Sequence, residues 1–193
     1  LLETYEFENN EFINNTPDRC YYCKQEFYRK VVKFAKEQNY TIILEGSHCD
    51  DLLDYRPGRR AVEELGIKSP YIEAGIGKKE IREIAKAYDI KIWDKPANPC
   101  LASRIPYGVK ITQEALIRIN ECEKFMHNNG FTAIRVRDHE KVARIEVQPE
   151  DIEKIIQPGI KEKIIDFFKM NGYIWVTIDL QGYRTGSMNE VLK

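Results

Sequence analysis

With 193 residues, 42% of them hydrophobic and 32% charged, the chain has the makeup of a globular protein that can bury one core or two small ones. Its formal net charge of −1 argues against a whole-surface attraction to nucleic acid, and no apolar run approaches the roughly 20 residues that cross a bilayer. The acidic opening LLETYEFENN does not read as a secretory signal, and five cysteines, an odd number, point to thiols in a reducing cytoplasm rather than to a disulfide framework.

Residues 1–18 read as irregular, ending in the turn-like NNTPDR. Asp18 is placed to cap a helix over about 20–38, with Phe27, Val31, Phe34 and Ala35 on one face. TIILEG, 41–46, reads as a buried parallel strand, followed by the polar loop SHCDDLLDYRPG and a helix over about 59–65. SPYIEAG reads as another strand, and GKKEIREIAKAYDI as an amphipathic helix with Ile81, Ile84, Ala85 and Tyr88 inward. This alternation implies a parallel sheet with ligand loops at the strand ends. The three-proline loop WDKPANPCLASRIPYG, 93–108, breaks the rhythm as a domain boundary or a functional loop. Beyond it come a helix over about 112–128, two alternating strands (FTAIRVRDH and VARIEV), helices over about 149–157 and 159–170, and the strand YIWVTIDL. The expected fold class is therefore α/β, with a parallel-sheet domain over 1–108 and a small α+β domain over 109–193.

Cysteine positions carry most of the chemistry. Cys122 shares a helical face with Ala115, Ile119 and Met126 and reads as a packed thiol. Cys49 follows a strand but has no spaced partner. Cys20 and Cys23, in RCYYCK, stand where a helix N-terminus stabilises thiolates. Their spacing suits a redox dithiol, half a zinc site or part of an iron–sulfur site, although no second C-x-x-C exists to close a zinc cage. Cys100, in PANPCLASR, is presented by a proline-bracketed loop as a nucleophile or metal ligand, with Ser103 and Arg104 close behind. Three thiolates are one fewer than a full iron–sulfur set, leaving one iron open.

Charge patterns add two candidates. Gly46 with Asp50, Asp51 and Asp54, and the nearby Arg56, Arg59 and Arg60, could hold magnesium and nucleotide phosphates; a solvated, self-paired loop is the alternative. Arg135 and Arg137 share one strand face, as do Arg144 and Glu146, so this cluster reads either as a phosphomonoester site or as a cross-strand ion ladder. The three histidines, His48, His127 and His139, have no spaced partners and are assigned no metal.

Taken together, RCYYCK, DDLLDYRPGRRA, PANPCLASRIPYG, RVRDHEKVARIEV and DLQGYRTGSMN resemble, over nearly the whole chain, the LarE-type ATP-dependent sulfur transferases of the PP-loop superfamily. The resemblance implies a partial PP-loop, Rossmann-like ATP-binding domain followed by an α+β substrate-binding or oligomerisation domain. It implies a cytoplasmic enzyme of nickel-pincer nucleotide (lactate racemase cofactor) biosynthesis. Carboxylates of a pyridinium biscarboxylic acid mononucleotide would be adenylated with ATP and Mg2+ and then converted to thiocarboxylates. In one branch the residue matching Cys100 surrenders its own sulfur. In the other, three cysteines matching Cys20, Cys23 and Cys100 carry a 4Fe-4S cluster with a transferable sulfide, and this chain resembles that branch. By the same resemblance, Arg135 and Arg137 bind the substrate phosphate, Ser103 and Arg104 lie nearby, and Gly46, Asp50, Asp51 and Arg56 lie on the nucleotide side. Glu123 and Glu146 are further metal or substrate candidates. A homo-oligomer is expected, with no membrane or nucleic-acid partner. The family's SGGxDS loop is absent, so the sequence is expected to be N-terminally incomplete and inactive toward ATP on its own. Two competing readings are a PP-loop tRNA thiolase with a similar cluster and a non-catalytic zinc-binding interaction domain.

Overall fold

Residues 2–95, 98–184 and 186–192 are described by the computed structural model. Pro96 and Ala97 of the proline-bracketed loop and Thr185 of the C-terminal motif lie outside the described residues. The chain divides into two units, Leu1–Ala97 and Asn98–Lys193.

The first unit is built from helices. The stretch read as irregular carries a 3-10 turn, Glu6–Glu8, and helix α1, Asn10–Ile13, because the Asn9 side chain accepts hydrogen bonds from the Glu11 and Phe12 amides and caps it. Helix α2 spans Arg19–Glu37, but Asp18 at its N-cap position makes no side-chain capping bond. Its buried stripe is Tyr28, Val31 and Ala35, while Phe27 and Phe34 are exposed. The expected face is thus rotated by about one residue, toward helix α3, Gly58–Glu64, whose Val62 packs with Tyr28 and Ile67.

Between them, TIILEG forms no strand. Leu44 makes a single parallel bridge to Lys68, and Ile42 and Leu44 remain exposed. SPYIEAG is not a strand either: it becomes helix α4, Pro70–Glu73. Proline at a helix's first position has the right φ and needs no donor, whereas it would break a strand ladder. Helix α5, Lys78–Ala87, follows as read. Of its expected inward face, Ile81 and Ala85 are half-buried, but Ile84 is 45% and Tyr88 78% exposed. Periodicity specifies an apolar face, and without a sheet at 41–46 this face has no such surface to lie on.

In the second unit the three expected strands form, the first and third shorter than read. Thr112 caps helix α6, Gln113–Asn128, by accepting from the Ala115 amide. Strands β1, Ile134–His139, and β2, Val142–Val147, pair antiparallel from Ile134↔Val147 to His139↔Val142. Glu140 takes the left-handed conformation (φ 58°) that a two-residue turn of this hand demands. A 3-10 turn, Pro149–Asp151, and helices α7, Ile152–Ile155, and α8, Ile160–Met170, lead to strand β3, Trp175–Ile178, which runs parallel to β2. The sheet is therefore mixed, in the order β1-β2-β3.

Alternation gives the sheet two unlike faces. Ile134, Val136, Ala143, Ile145 and Val147 join Cys122, Met126, Phe131 and Phe168 in one buried cluster, with Phe125 and Phe167 stacked 4.1 Å apart. Arg135, Arg137, Arg144 and Glu146 occupy the other face. The expected α/β class therefore stands at the coarse level, with helices in both units and one small mixed sheet.

Phe168 is fully buried, so Phe168→Ala should destabilise the second unit by about 3–5 kcal/mol. Tyr88→Ala should cost less than about 0.5 kcal/mol. Urea unfolding followed by Trp175 fluorescence in a Trp93→Phe background measures the first, and far-UV circular dichroism the second.

Candidate functional site

Cys100 stands at the head of a 3-10 turn, Leu101–Arg104, with its thiol exposed. The turn closes through the Ser103 amide donating to the Cys100 carbonyl at 2.9 Å. Arg104, fully buried, reaches back beneath it: its Nη1 donates to the carbonyls of Pro99 (2.8 Å) and Cys100 (3.2 Å) and to Ser103 Oγ (3.1 Å). Its remaining edge lies on Glu123 of α6, with Nε to Oε1 and Nη2 to Oε2 both at 2.8 Å. Glu123 Oε1 also accepts the Val136 amide at 3.0 Å, so one carboxylate joins the helix, a strand and the cysteine turn. A planar guanidinium with a fixed fork of donors suits this role in a way that a lysine cannot.

A second arginine–glutamate pair comes from the sheet. Arg137 donates Nε and Nη2 to Glu146 at 2.8 and 2.7 Å, Nη1 to the Ser103 carbonyl at 2.9 Å, and Nη2 to Ser187 Oγ at 2.7 Å. The backbone of the Cys100 turn is thus gripped at three carbonyls, by two arginines, each seated on its own buried carboxylate. Arg144 meets Glu146 at 3.4 Å and Asp179 at 2.8 Å, and its buried Nε has no hydrogen-bond partner among the described residues.

Arg135 differs from these. Its guanidinium lies over the Tyr183 ring (5.0 Å), Nη1 donates to the Ile134 carbonyl, and Nη2 reaches the Tyr183 hydroxyl at 3.4 Å. Burial first, and then the Arg104 cation, hold it below the ordinary arginine range. A buried cation beside other cations is a place where an anion lowers the electrostatic cost.

In the first unit, Cys20 and Cys23 lie in the first two turns of α2, with Cys20 exposed and Cys23 half-buried. Buried Arg19 donates to Asn15 Oδ1 at 2.5 Å and approaches Cys20 Sγ at 3.8 Å. Gly58 lets α3 begin against this turn, since a Cβ there would meet the Cys20 carbonyl at 3.1 Å. The acidic loop is largely self-satisfied. Asp51 is buried, accepts the His48 amide and pairs with Arg56 at 2.9 Å. Asp50 caps α5 through the Lys78 amide at 2.8 Å, and Gly46 has open space around it. Cys49, which had no assigned role, donates its amide to the Ile76 carbonyl.

The second unit therefore brings together Cys100, Ser103, Arg104, Glu123, Arg135, Arg137 and Glu146. The first brings together the Cys20–Cys23 pair, and separately Asp50, Asp51 and Arg56. Sequence reasoning missed Tyr183 and Ser187, although both stand in the recognised DLQGYRTGSMN stretch; their hydroxyls could have been read as partners for the strand arginines. Exposed or half-exposed thiols one helical turn apart, and a third thiol on a rigid turn, are donors of the right softness for an iron–sulfur group. Among the described residues, no three His, Cys, Asp or Glu side chains are grouped so as to hold a metal ion. Cys20 and Cys23 belong to the first unit and Cys100 to the second. The oxygens of Glu123 and Glu146 are already engaged by arginines, so either would have to release one to ligate a metal. No helix among the described residues is long and apolar enough to cross a membrane.

No family model matches the chain. It is 40% identical over 192 residues to an uncharacterized protein of Synechocystis sp., covering 100% of this chain and 72% of that one. It is 42% identical over 176 residues to an uncharacterized protein of Methanocaldococcus jannaschii, covering 91% and 68%. It is also 33% identical over 190 residues to the pyridinium-3,5-bisthiocarboxylic acid mononucleotide synthase of Lactiplantibacillus plantarum, covering 98% of this chain and 68% of the synthase.

Two outcomes follow from this geometry. Glu146→Ala strands the buried Arg137 charge and should cost about 3–5 kcal/mol, measured by urea unfolding of the second unit through Trp175 fluorescence. Burial pushes the Cys122 thiol up to about 12, so iodoacetamide at neutral pH should label Cys20 and Cys100 and spare Cys122 until the chain unfolds, as read by peptide mass mapping.

Proposed function

Because the chain belongs to the pyridinium-3,5-bisthiocarboxylic acid mononucleotide synthase family, we propose that it replaces carboxylate oxygen with sulfur on a pyridinium biscarboxylic acid mononucleotide. The observation that carries this reading is an exposed Cys100 thiol on a turn whose carbonyls are fixed by Arg104 and Arg137, beside the buried Arg135 cation.

A carboxylate is a poor acyl donor, and its oxygen must become a leaving group first. ATP with Mg2+ supplies that step: the carboxylate attacks the α-phosphate, pyrophosphate departs and an acyl-adenylate forms. A sulfur nucleophile then adds to the acyl carbon and AMP leaves with the original oxygen. Arg135 is the residue that binds the substrate's phosphate, since an anion there relieves the mutual repulsion of Arg104, Arg135 and Arg137. Arg104 and Arg137 act mainly by holding the Cys100 turn, and Ser103 by offering its carbonyl and hydroxyl to them. On the nucleotide side the residues are Gly46, Asp50, Asp51 and Arg56.

Cys20, Cys23 and Cys100 are the residues that would hold a 4Fe-4S cluster, which when bound supplies a transferable sulfide so that the protein is not consumed. In this reading the first unit is part of a PP-loop ATP-binding domain, the second binds substrate, and copies of the chain associate in the cytoplasm.

The test is anaerobic reconstitution of the chain with iron and sulfide, read by absorption and EPR, and then, in a protein that also carries the SGGxDS loop this sequence lacks, incubation with ATP, Mg2+ and the biscarboxylic mononucleotide with mass detection of the thiocarboxylate. Cys20→Ala, Cys23→Ala and Cys100→Ala should each abolish the cluster signal, and Cys122→Ala should leave it. Equal loss in all four variants contradicts the ligand assignment, and a thiocarboxylate formed by Cys100→Ala contradicts the reading as a whole.

A further inference from the structure

A surface groove of about 520 Å³, lined by residues of the first unit alone, lies between the acidic turn, one side of α5 and the segment after it. Lys78, Arg82 and Lys86 line it at four-residue intervals, which puts them in one row along the helix, each about 6 Å from the next. Trp93 closes the far end, with the Lys86 ammonium 4.8 Å from its ring centroid.

The charges in this groove do not balance. Among the described residues that line it, Lys78, Lys79, Arg82 and Lys86 stand with two carboxylates, Asp50 and Glu83. Asp50 is committed to capping α5 through the Lys78 amide, and Glu83 meets Lys79 only at 4.0 Å on an exposed surface. Arg82 donates Nη2 to the Lys95 carbonyl at 3.3 Å, while its buried Nε has no hydrogen-bond partner among the described residues. Like charges spaced i, i+4 destabilise a helix, so the row is held at a cost that a bound anion would offset. At the helix N-terminus Asp50 and Glu80 already accept from the Lys78 and Gly77 amides. The row of cationic side chains is what would hold the anion.

From this we infer that the groove is a binding site for a nucleotide-class organic phosphate, with its phosphates along Lys78, Arg82 and Lys86 and its aromatic ring against Trp93. The volume lies in the range of small-molecule sites, and a row of cations ending in an indole matches an anion joined to a flat ring. A solvated basic face would need neither the concavity nor the buried guanidinium nitrogen. Gly46, Asp51 and Arg56, the other residues given to the nucleotide side above, do not line it, so it is a separate site that touches them only through Asp50.

The chain has two tryptophans, and Trp175→Phe leaves Trp93 as the reporter. Titrating that variant with ATP should give a saturable change in Trp93 fluorescence. Tripolyphosphate should bind at least several-fold more weakly and adenosine more weakly still. Arg82→Gln and Lys86→Gln should each weaken ATP by roughly tenfold, and affinity should fall as salt rises from about 0.05 M to about 0.5 M. Arg56→Gln, on the nucleotide side of the proposed reaction and outside this groove, should leave the titration unchanged, which separates this site from the sulfur-transfer reading and its failure. No saturable change, tripolyphosphate binding as tightly as ATP, or unaltered affinity in Arg82→Gln would each overturn the inference. Circular dichroism of Arg82→Gln and Lys86→Gln should match the parent, and a weakened titration in a variant with altered helicity counts against it too.

Discussion

The Glu123 carboxylate is the constraint on which the second unit's chemistry depends. It is buried, and it takes three donors: two from Arg104 and one from the Val136 amide on the outer edge of β1. An edge strand must satisfy its unpaired amides, and a buried arginine must have a counter-charge. One side chain meets both demands, and in doing so fixes where the Arg104 guanidinium can be. The Pro99 and Cys100 carbonyls then follow, and with them the exposed thiol. Rigidity at Cys100 is therefore inherited from α6 and the sheet rather than generated by the loop.

The two cysteines of the second unit make the contrast plain. Cys122, one residue from Glu123 in sequence, faces the apolar cluster, where burial raises its thiol far from the ionised form. Cys100 sits outside, over a layer of arginines. Arg137 repeats the Arg104 arrangement from the opposite side of the turn, resting on Glu146 and holding the Ser103 carbonyl. Where each ion pair breaks only at a cost of several kcal/mol, a turn tied to two of them keeps one geometry. That leaves Arg135, partnered by a tyrosine hydroxyl and ring, as the cation best suited to meet an incoming anion.

Much of the second unit was legible because its elements carry strong periods. VARIEV coincides with β2, α6 begins within a residue of its expectation, and the buried Cys122 face was read from spacing alone. The first unit was less legible. SPYIEAG has strand-like residues, yet its proline favours a helix start, and α2 turned its stripe toward Val62 rather than toward the phenylalanines. For the site, the sequence marked Cys20, Cys23, Cys100 and the strand arginines, but charge patterns do not reveal partners. That Arg104 would be consumed by backbone carbonyls and Glu123, or that Ser187 would join Arg137 to Glu146, depends on contacts across 19 and 50 residues of chain.

The role proposed for Cys100 asks for a thiol that is reachable and yet fixed, and its turn has both properties through the Glu123–Arg104 pair. Hydrogen exchange at the Ser103 amide, whose bond to the Cys100 carbonyl closes the turn, tests this most directly. Comparing the parent with Glu123→Gln, the account requires Ser103 protection to fall sharply while Ile145, in the sheet interior, keeps its protection. Unchanged exchange at Ser103 would contradict it, because the turn would then hold itself without the buried carboxylate.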